Sequence, residues 1–136
     1  MSESVVRLVV FGALLLHGLG HGGAIGALAW IERFPDRDSG GWRAARSWAL
    51  PFLRRRPAAW VASAFWALAL GGFVVAALSY GGILLPGGAW RPVAVGSALL
   101  SSCGIALFLG TWPAFNTLAA MGMNAAVLIA LSRSAP

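Results

Sequence analysis

Four long apolar segments follow one another along the chain, and all charged residues lie between or beyond them. The segments are 8–31, 59–80, 93–111 and 115–132. A helix that crosses a bilayer needs about 20 predominantly apolar residues, and only helices and closed barrels satisfy their backbone polar groups in lipid. Because the segments show no strand-like alternation, the pattern predicts an all-α polytopic membrane protein. We expect one integral membrane domain, 1–136, built as a four-transmembrane-helix bundle.

The third and fourth segments form one apolar run, so their division depends on the residues at the junction. Gly110 is suited to end a helix in the left-handed conformation. Pro113 is suited to the first turn of the next helix, where its missing N–H costs nothing. One continuous helix of about 40 residues would exceed the thickness of a bilayer. A turn between the two segments is therefore predicted.

Most of the positive charge lies in the first loop. All ten basic residues are Arg, and seven of them fall within residues 32–58. Cytoplasmic loops carry an excess of basic residues, so this loop is predicted to be cytoplasmic, and four crossings then place both termini outside. The absence of Lys beside abundant Ala, Gly and Arg suggests a GC-rich bacterial genome, and thus the inner membrane of a bacterial cell.

The same loop contains a predicted amphipathic helix, Trp42–Leu53. Trp42, Ala45, Ala49 and Phe52 would share one face of it, which favours a position in the membrane interface. Five arginines are candidate ligands of anionic lipid headgroups: Arg43, Arg46, Arg54, Arg55 and Arg56. Alternatively, their charge only sets the topology of the chain.

Composition excludes several classes of protein. Hydrophobic residues make up 59% of the chain and charged residues only 10%, with a mean hydropathy of +0.78. Ordinary soluble domains carry roughly 25% charged residues. A soluble enzyme and a nucleic-acid-binding module are therefore excluded, in spite of the net charge of +6. The single cysteine, Cys103, excludes an intrachain disulfide, and no motif assigns a catalytic residue or a metal site.

Polar residues near the middle of three apolar segments are the candidate site. Polar groups inside a bilayer are costly and tend to mark function. If the helices form a bundle, these residues would share one layer near the midplane, where they could bind a ligand. The proposed layer consists of His17, His21, Ser102, Cys103 and Asn124, with Ser101 at the same depth.

The two histidines lie four residues apart, so they share one face of a helix. Gly18, Gly22 and Gly26 form an adjacent stripe with glycine-zipper spacing. Such a stripe allows another helix or a flat ligand to approach the backbone. It therefore favours a homo-oligomer or a subunit of a larger membrane complex.

Three interpretations of the histidines are open. They could be structural, hydrogen-bonding across the bundle to a residue such as Asn124 or Ser102. They could hold a haem or pigment cofactor through His17 or His21. They could also carry protons or contact an apolar substrate in a small transporter or membrane enzyme. We favour a non-enzymatic membrane subunit or an apolar-ligand binder.

The stretch Leu16-His17-Gly18-Leu19-Gly20-His21 resembles the first helix of a group of small uncharacterised bacterial membrane proteins with an H-G-x-x-H signature. Their last helix carries an aromatic and Asn pattern, matched here by Trp112, Phe115 and Asn124. The four-helix plan is also similar to that of the DoxX-like membrane proteins. The resemblance extends over most of the chain in hydropathy and implies a fold but no defined activity. Gly20 and the Arg-rich first loop depart from the pattern.

Overall fold

The computed structural model describes residues 2–132, which form four α-helices and no strand. The helices are α1 (Glu3–Arg33), α2 (Arg55–Tyr80), α3 (Trp90–Leu107) and α4 (Ala114–Ser132), and a short 3₁₀ turn, Gly87–Ala89, precedes α3. All four are long and apolar enough to cross a membrane. The predicted all-helical class and the predicted number of long apolar helices are therefore confirmed.

The turn between α3 and α4 begins earlier than the sequence predicted. The third apolar segment extends to Thr111, but α3 ends at Leu107. Phe108 leaves the helical conformation, and its carbonyl accepts a hydrogen bond from the backbone N–H of Thr111 at 3.1 Å. Gly110 has φ +87°, the left-handed conformation expected of it, but it lies inside the turn and not at the end of the helix.

The predicted amphipathic helix over Trp42–Leu53 is wrong, because this stretch has no helical structure. Pro51 disfavours the helical conformation of the residue before it. Tertiary hydrogen bonds also fix the chain in a non-helical conformation: the backbone N–H of Arg43 donates to Thr111 O at 2.9 Å, and Trp48 Nε1 donates to Ala106 O at 2.7 Å. Ala45 is completely buried between these two points. The loop therefore packs against the junction of α3 and α4.

The helices pack in chain order, with α1 against α2, α2 against α3 and α3 against α4. The backbones of α1 and α4 hardly approach each other. Trp66 and Phe73 of α2 are the largest fully buried side chains, so α2 supplies the centre of the core. This open arrangement leaves a cleft between the first helix and the last.

Glycines permit close packing at a few points. A Cβ atom on Gly18 would lie 3.0 Å from Cβ of Phe73, whereas one on Gly22 would only meet Leu70 at 3.6 Å. At Gly26 a Cβ would meet nothing within 4 Å. The predicted glycine stripe therefore packs tightly against α2 at Gly18, loosely at Gly22 and not at Gly26.

Candidate functional site

Side chains from three helices meet in a hydrogen-bonded group, here called the polar layer: His17, His21, Ser101, Ser102 and Asn124. His17 Nε2 lies 2.8 Å from Asn124 Oδ1. Asn124 Nδ2 donates to Ser101 Oγ at 2.8 Å and to Ser102 Oγ at 3.1 Å. Ser101 Oγ in turn lies 3.1 Å from His21 Nε2. The group thus connects α1, α3 and α4 through side chains alone.

Asn124 is the centre of this layer. It is fully buried, and its carbonyl oxygen and its amide nitrogen are both hydrogen-bonded. Because the amide donates to the two serines, its oxygen is left to accept a hydrogen bond from His17 Nε2–H. That bond selects one tautomer of a neutral His17 and leaves Nδ1 as an acceptor. A buried amide without such partners would cost free energy, so the layer couples the positions of the three helices.

Cys103 was predicted to belong to the layer, but its side chain is exposed. Ser101, Ser102 and Cys103 are consecutive, and successive helical residues are rotated by about 100°. Ser101 therefore faces the interior, Ser102 lies at its border and Cys103 faces outward. Ser101 was predicted only to share the depth of the layer, yet it connects His21 to Asn124.

Aromatic rings surround the histidines on the inner side. The rings of His21 and Phe73 are parallel, with centroids 6.1 Å apart and an interplanar angle of 2°. Trp112 lies 5.4 Å from His21, and Trp66 lies 5.2 Å from Trp112 between ring centroids. His17 also packs edge-on against Phe73 at 4.5 Å, so these rings hold both imidazoles on the inner side of the layer.

Several buried polar atoms have no hydrogen-bond partner within the part of the chain that the structure describes. They are His21 Nδ1, Trp66 Nε1, Trp112 Nε1 and Thr111 Oγ1. Buried polar groups are normally hydrogen-bonded, so four such atoms are unusual, and the ring contacts place Trp112 beside His21 and Trp66 beside Trp112. Trp66 and Thr111 were not among the predicted site residues, and no pattern in the sequence indicates them.

A cleft of about 430 Å³ opens beside the polar layer, between α1 and α4. We call it the α1–α4 cleft. His17 and His21 form its inner wall, and Leu16 and Phe115 stand at its outer edge, where they are strongly exposed. The rest of the lining comes from the loop, the α3–α4 turn and both helices: Ala13, Gly20, Trp42, Trp112, Asn116, Ala119, Ala120 and Met123. The walls are therefore mostly apolar, with polar groups at the histidines and at Asn116.

The geometry gives little support to metal or haem ligation. No group of three or more potential metal-ligating His, Cys, Asp or Glu side chains occurs among residues 2–132. The Nε2 atoms of both histidines are already within hydrogen-bonding distance of Asn124 and Ser101. Coordination through Nε2 would break one of these contacts, so the observed geometry suits the histidines better as hydrogen-bonding groups.

The arginines predicted to bind lipid headgroups divide into two groups. Arg43 and Arg46 are exposed in the loop. Arg54, Arg55 and Arg56 lie together where α2 begins, beside the end of α1. Arg55 Nε donates to Glu32 Oε1 at 2.7 Å, and Arg55 Nη2 donates to Ile31 O at 3.1 Å. Arg55 therefore joins the two helices.

Comparison of the chain with protein-family models, with curated proteins and with solved structures found no match. The function must therefore be inferred from the geometry of the chain itself.

Proposed function

We propose that this chain is a bacterial membrane protein that binds an amphiphilic ligand in the α1–α4 cleft. The loop 32–58 would face the cytoplasm and both termini the outside. The observation that carries the proposal is the cleft itself, whose apolar walls end on two histidines held by the polar layer. Ligand pockets typically have volumes of about 300–1,000 Å³ and apolar walls with a few placed polar groups.

The surroundings of the cleft favour entry from the lipid. Leu16 and Phe115, at its outer edge, are 70% and 81% exposed. Both residues belong to faces that would contact acyl chains in a bilayer. A molecule dissolved in the membrane could therefore reach the histidines sideways, without crossing the headgroup region.

The chemistry of the inner wall restricts the polar end of the ligand. With Nε2–H of His17 donated to Asn124, Nδ1 is the remaining hydrogen-bonding atom of a half-buried side chain. In the neutral ring this atom is an acceptor. A ligand with a hydroxyl or amide N–H at one end of an apolar body would complement it.

The proposal is tested by filling the cleft. Gly20 lines the cleft, and a Cβ there would meet nothing within 4 Å, so Gly20→Leu occupies the cleft without disturbing a packed contact. Gly23→Leu is the matched control, because Gly23 is equally open but does not line the cleft. The probe is a long-chain alkyl alcohol with a photoreactive diazirine, whose adducts are mapped by mass spectrometry.

We expect adducts in the wild-type protein to concentrate on cleft residues such as Leu16, Phe115 and Met123. Gly20→Leu should abolish that labelling and leave thermal stability unchanged, whereas Gly23→Leu should retain it. Equal labelling of the two variants, or adducts spread evenly over the outward faces, would contradict a ligand site in the cleft. An alkane probe without the hydroxyl should label the cleft more weakly.

The alternative functions lead to different results. A haem or pigment held by His17 or His21 gives the purified protein an absorption band that is lost in His17→Ala or His21→Ala. A transporter or membrane enzyme loses transport or turnover in those variants while it stays folded. A purely structural layer loses only thermal stability. Assembly into a homo-oligomer or a larger complex stays a prediction, which crosslinking in membranes would test.

The orientation is tested independently with a membrane-impermeant maleimide. In a Cys103→Ala background, Asp38→Cys places a thiol in the exposed loop and Ser4→Cys places one near the amino terminus. We expect intact cells, or spheroplasts if there is an outer membrane, to be labelled at position 4 only. Labelling at position 38 from the outside would reverse the proposed topology.

A further inference from the structure

A second depression lies between α1 and α2 at the Arg-rich end of the bundle. Its volume is about 520 Å³, and we call it the α1–α2 groove. Ile25 and Ala29 of α1 and Ala59 and Trp60 of α2 form its apolar walls, and Arg33 and Arg56 stand at its charged end. It has no lining residue in common with the α1–α4 cleft.

The glycine stripe of α1 contacts α2 over only part of its length. At Gly18 the two helices are so close that a Cβ would lie 3.0 Å from Phe73, and at Gly22 the corresponding distance to Leu70 is 3.6 Å. At Gly26, one further turn along, a Cβ would meet nothing within 4 Å. The stripe thus packs against α2 at Gly18 and is open at Gly26, next to Ile25 of the groove wall.

The charged end of the groove carries excess positive charge. Glu32, which lines it, is paired with Arg55. No other ion pair occurs among residues 2–132, so Arg33, Arg54 and Arg56 have no acidic partner there. A neighbouring depression that shares Glu32 and Arg56 also contains Arg54, which extends the basic region.

The start of α2 adds to this preference for an anion. Its first turn contains no acidic residue, and the residue before it, Arg54, makes no side-chain capping bond. The free N–H groups and the dipole at a helix N-terminus favour negative charge. The basic end and the apolar walls of the α1–α2 groove together complement a molecule that has an anionic head and a hydrocarbon tail.

We propose that the α1–α2 groove binds one anionic phospholipid, with its phosphate at Arg33 and Arg56 and an acyl chain along Ile25, Ala29 and Trp60. The inference uses the membrane location given under the proposed function, but it does not depend on the α1–α4 cleft. It also changes the sequence-based assignment, since Arg33 replaces Arg43 and Arg46 as a headgroup ligand.

The test is native mass spectrometry of the purified protein in a nonionic detergent with added phosphatidylglycerol. One arginine near an anionic lipid surface contributes about a fivefold gain in affinity, so the double variant Arg33→Gln/Arg56→Gln should bind this lipid about 30-fold more weakly. The double variant Arg43→Gln/Arg46→Gln is the matched control, with the same change in net charge outside the groove. We expect it to bind almost as well as the wild type.

A second pair of variants tests the acyl chain without changing charge. Ala29→Phe fills the groove and should displace the lipid, whereas Gly23→Phe, at an open position outside the groove, should not. Phosphatidylcholine should bind more weakly than phosphatidylglycerol, and inorganic phosphate should not compete. Equal losses in the two arginine variants, unchanged binding in Ala29→Phe, or displacement by inorganic phosphate would each overturn the proposal. Gly20→Leu should leave lipid binding intact, so failure of the α1–α4 cleft and failure of the groove are distinguishable.

Discussion

The first helix is attached to its two neighbours in opposite ways. Toward α2, Gly18 brings the backbone so close that Phe73 and the Leu70 carbonyl leave no room for a side chain. Toward α4, the adjacent residue His17 reaches across to Asn124 with a hydrogen bond of 2.8 Å. One contact consists of close packing and the other of a polar bridge beside a cleft.

The difference shows how the bundle can have a defined helix arrangement and still contain a cleft. Close packing between small residues gains dispersion energy but leaves no volume for a ligand. A side-chain hydrogen bond fixes two helices at a longer distance and preserves the volume between them. The α1–α4 cleft is therefore compatible with a defined structure because the polar layer, and not backbone contact, sets the separation of α1 and α4.

The largest effect is expected from disturbing the close contact. Gly18→Leu would force a side chain against Cβ of Phe73 and the Leu70 carbonyl, which are not flexible. Overpacking of this kind costs up to about 3 kcal/mol. We expect the free energy of unfolding, measured by denaturant titration in mixed micelles, to fall by about that amount.

Gly26→Leu provides the control for this prediction. It makes the same substitution on the same stripe, at a position where a Cβ meets nothing within 4 Å. Its free energy of unfolding should stay near the wild-type value. Similar losses in both variants would show that the stripe packs along its whole length, against α2 or against a second copy of the chain.

A smaller effect is expected from removing Asn124, the centre of the polar layer. Asn124→Leu deletes the acceptor for His17 and the donor to Ser101 and Ser102. Interhelical hydrogen bonds in membrane proteins contribute about 0.6 kcal/mol each on average, so three lost bonds predict a loss of about 2 kcal/mol. Asn116→Leu changes an exposed residue of the same helix and should leave the free energy of unfolding almost unchanged. An equal loss in this variant would argue that the polar layer does not stabilise the bundle.

The smallest effects should separate the two serines. Ser101 bonds to both Asn124 and His21, whereas Ser102 bonds to Asn124 alone. Ser101→Ala should therefore destabilise the protein by about 1 kcal/mol and Ser102→Ala by about half of that. The difference is best measured with both variants in the same unfolding experiment. The reverse order would mean that Ser102, and not Ser101, connects α3 to the layer.

Much of the fold is predictable from hydropathy. An apolar segment in lipid must satisfy its backbone hydrogen bonds internally, which a helix does. The number and helical state of the long segments follow directly. The failures lie where local and tertiary interactions compete: residues 42–53 have helical spacing, but Pro51 and the hydrogen bond of Arg43 to Thr111 oppose a helix there. The early end of α3 at Leu107 has no marker in the sequence.

The candidate site is only partly readable from the sequence. Position along a helix predicts that His17, His21 and Asn124 lie at a common depth, and in the structure Asn124 contacts His17 directly and His21 through Ser101. Depth does not determine direction, so Cys103 could not be separated from Ser101 without knowing how α3 is rotated. The sequence predicts neither the α1–α4 cleft nor the α1–α2 groove, since each depends on which helices are neighbours.

The loop between α1 and α2 has a practical consequence for attaching labels to this protein. From Pro35 to Asp38 the chain is exposed, so an epitope or fluorescent tag inserted there would protrude without displacing a core residue. A tag inserted between Arg43 and Trp48 would interrupt the segment that is hydrogen-bonded to the α3–α4 junction at both ends and would displace the buried Ala45. Tolerance of inserted sequence should therefore change abruptly within about ten residues of one connector.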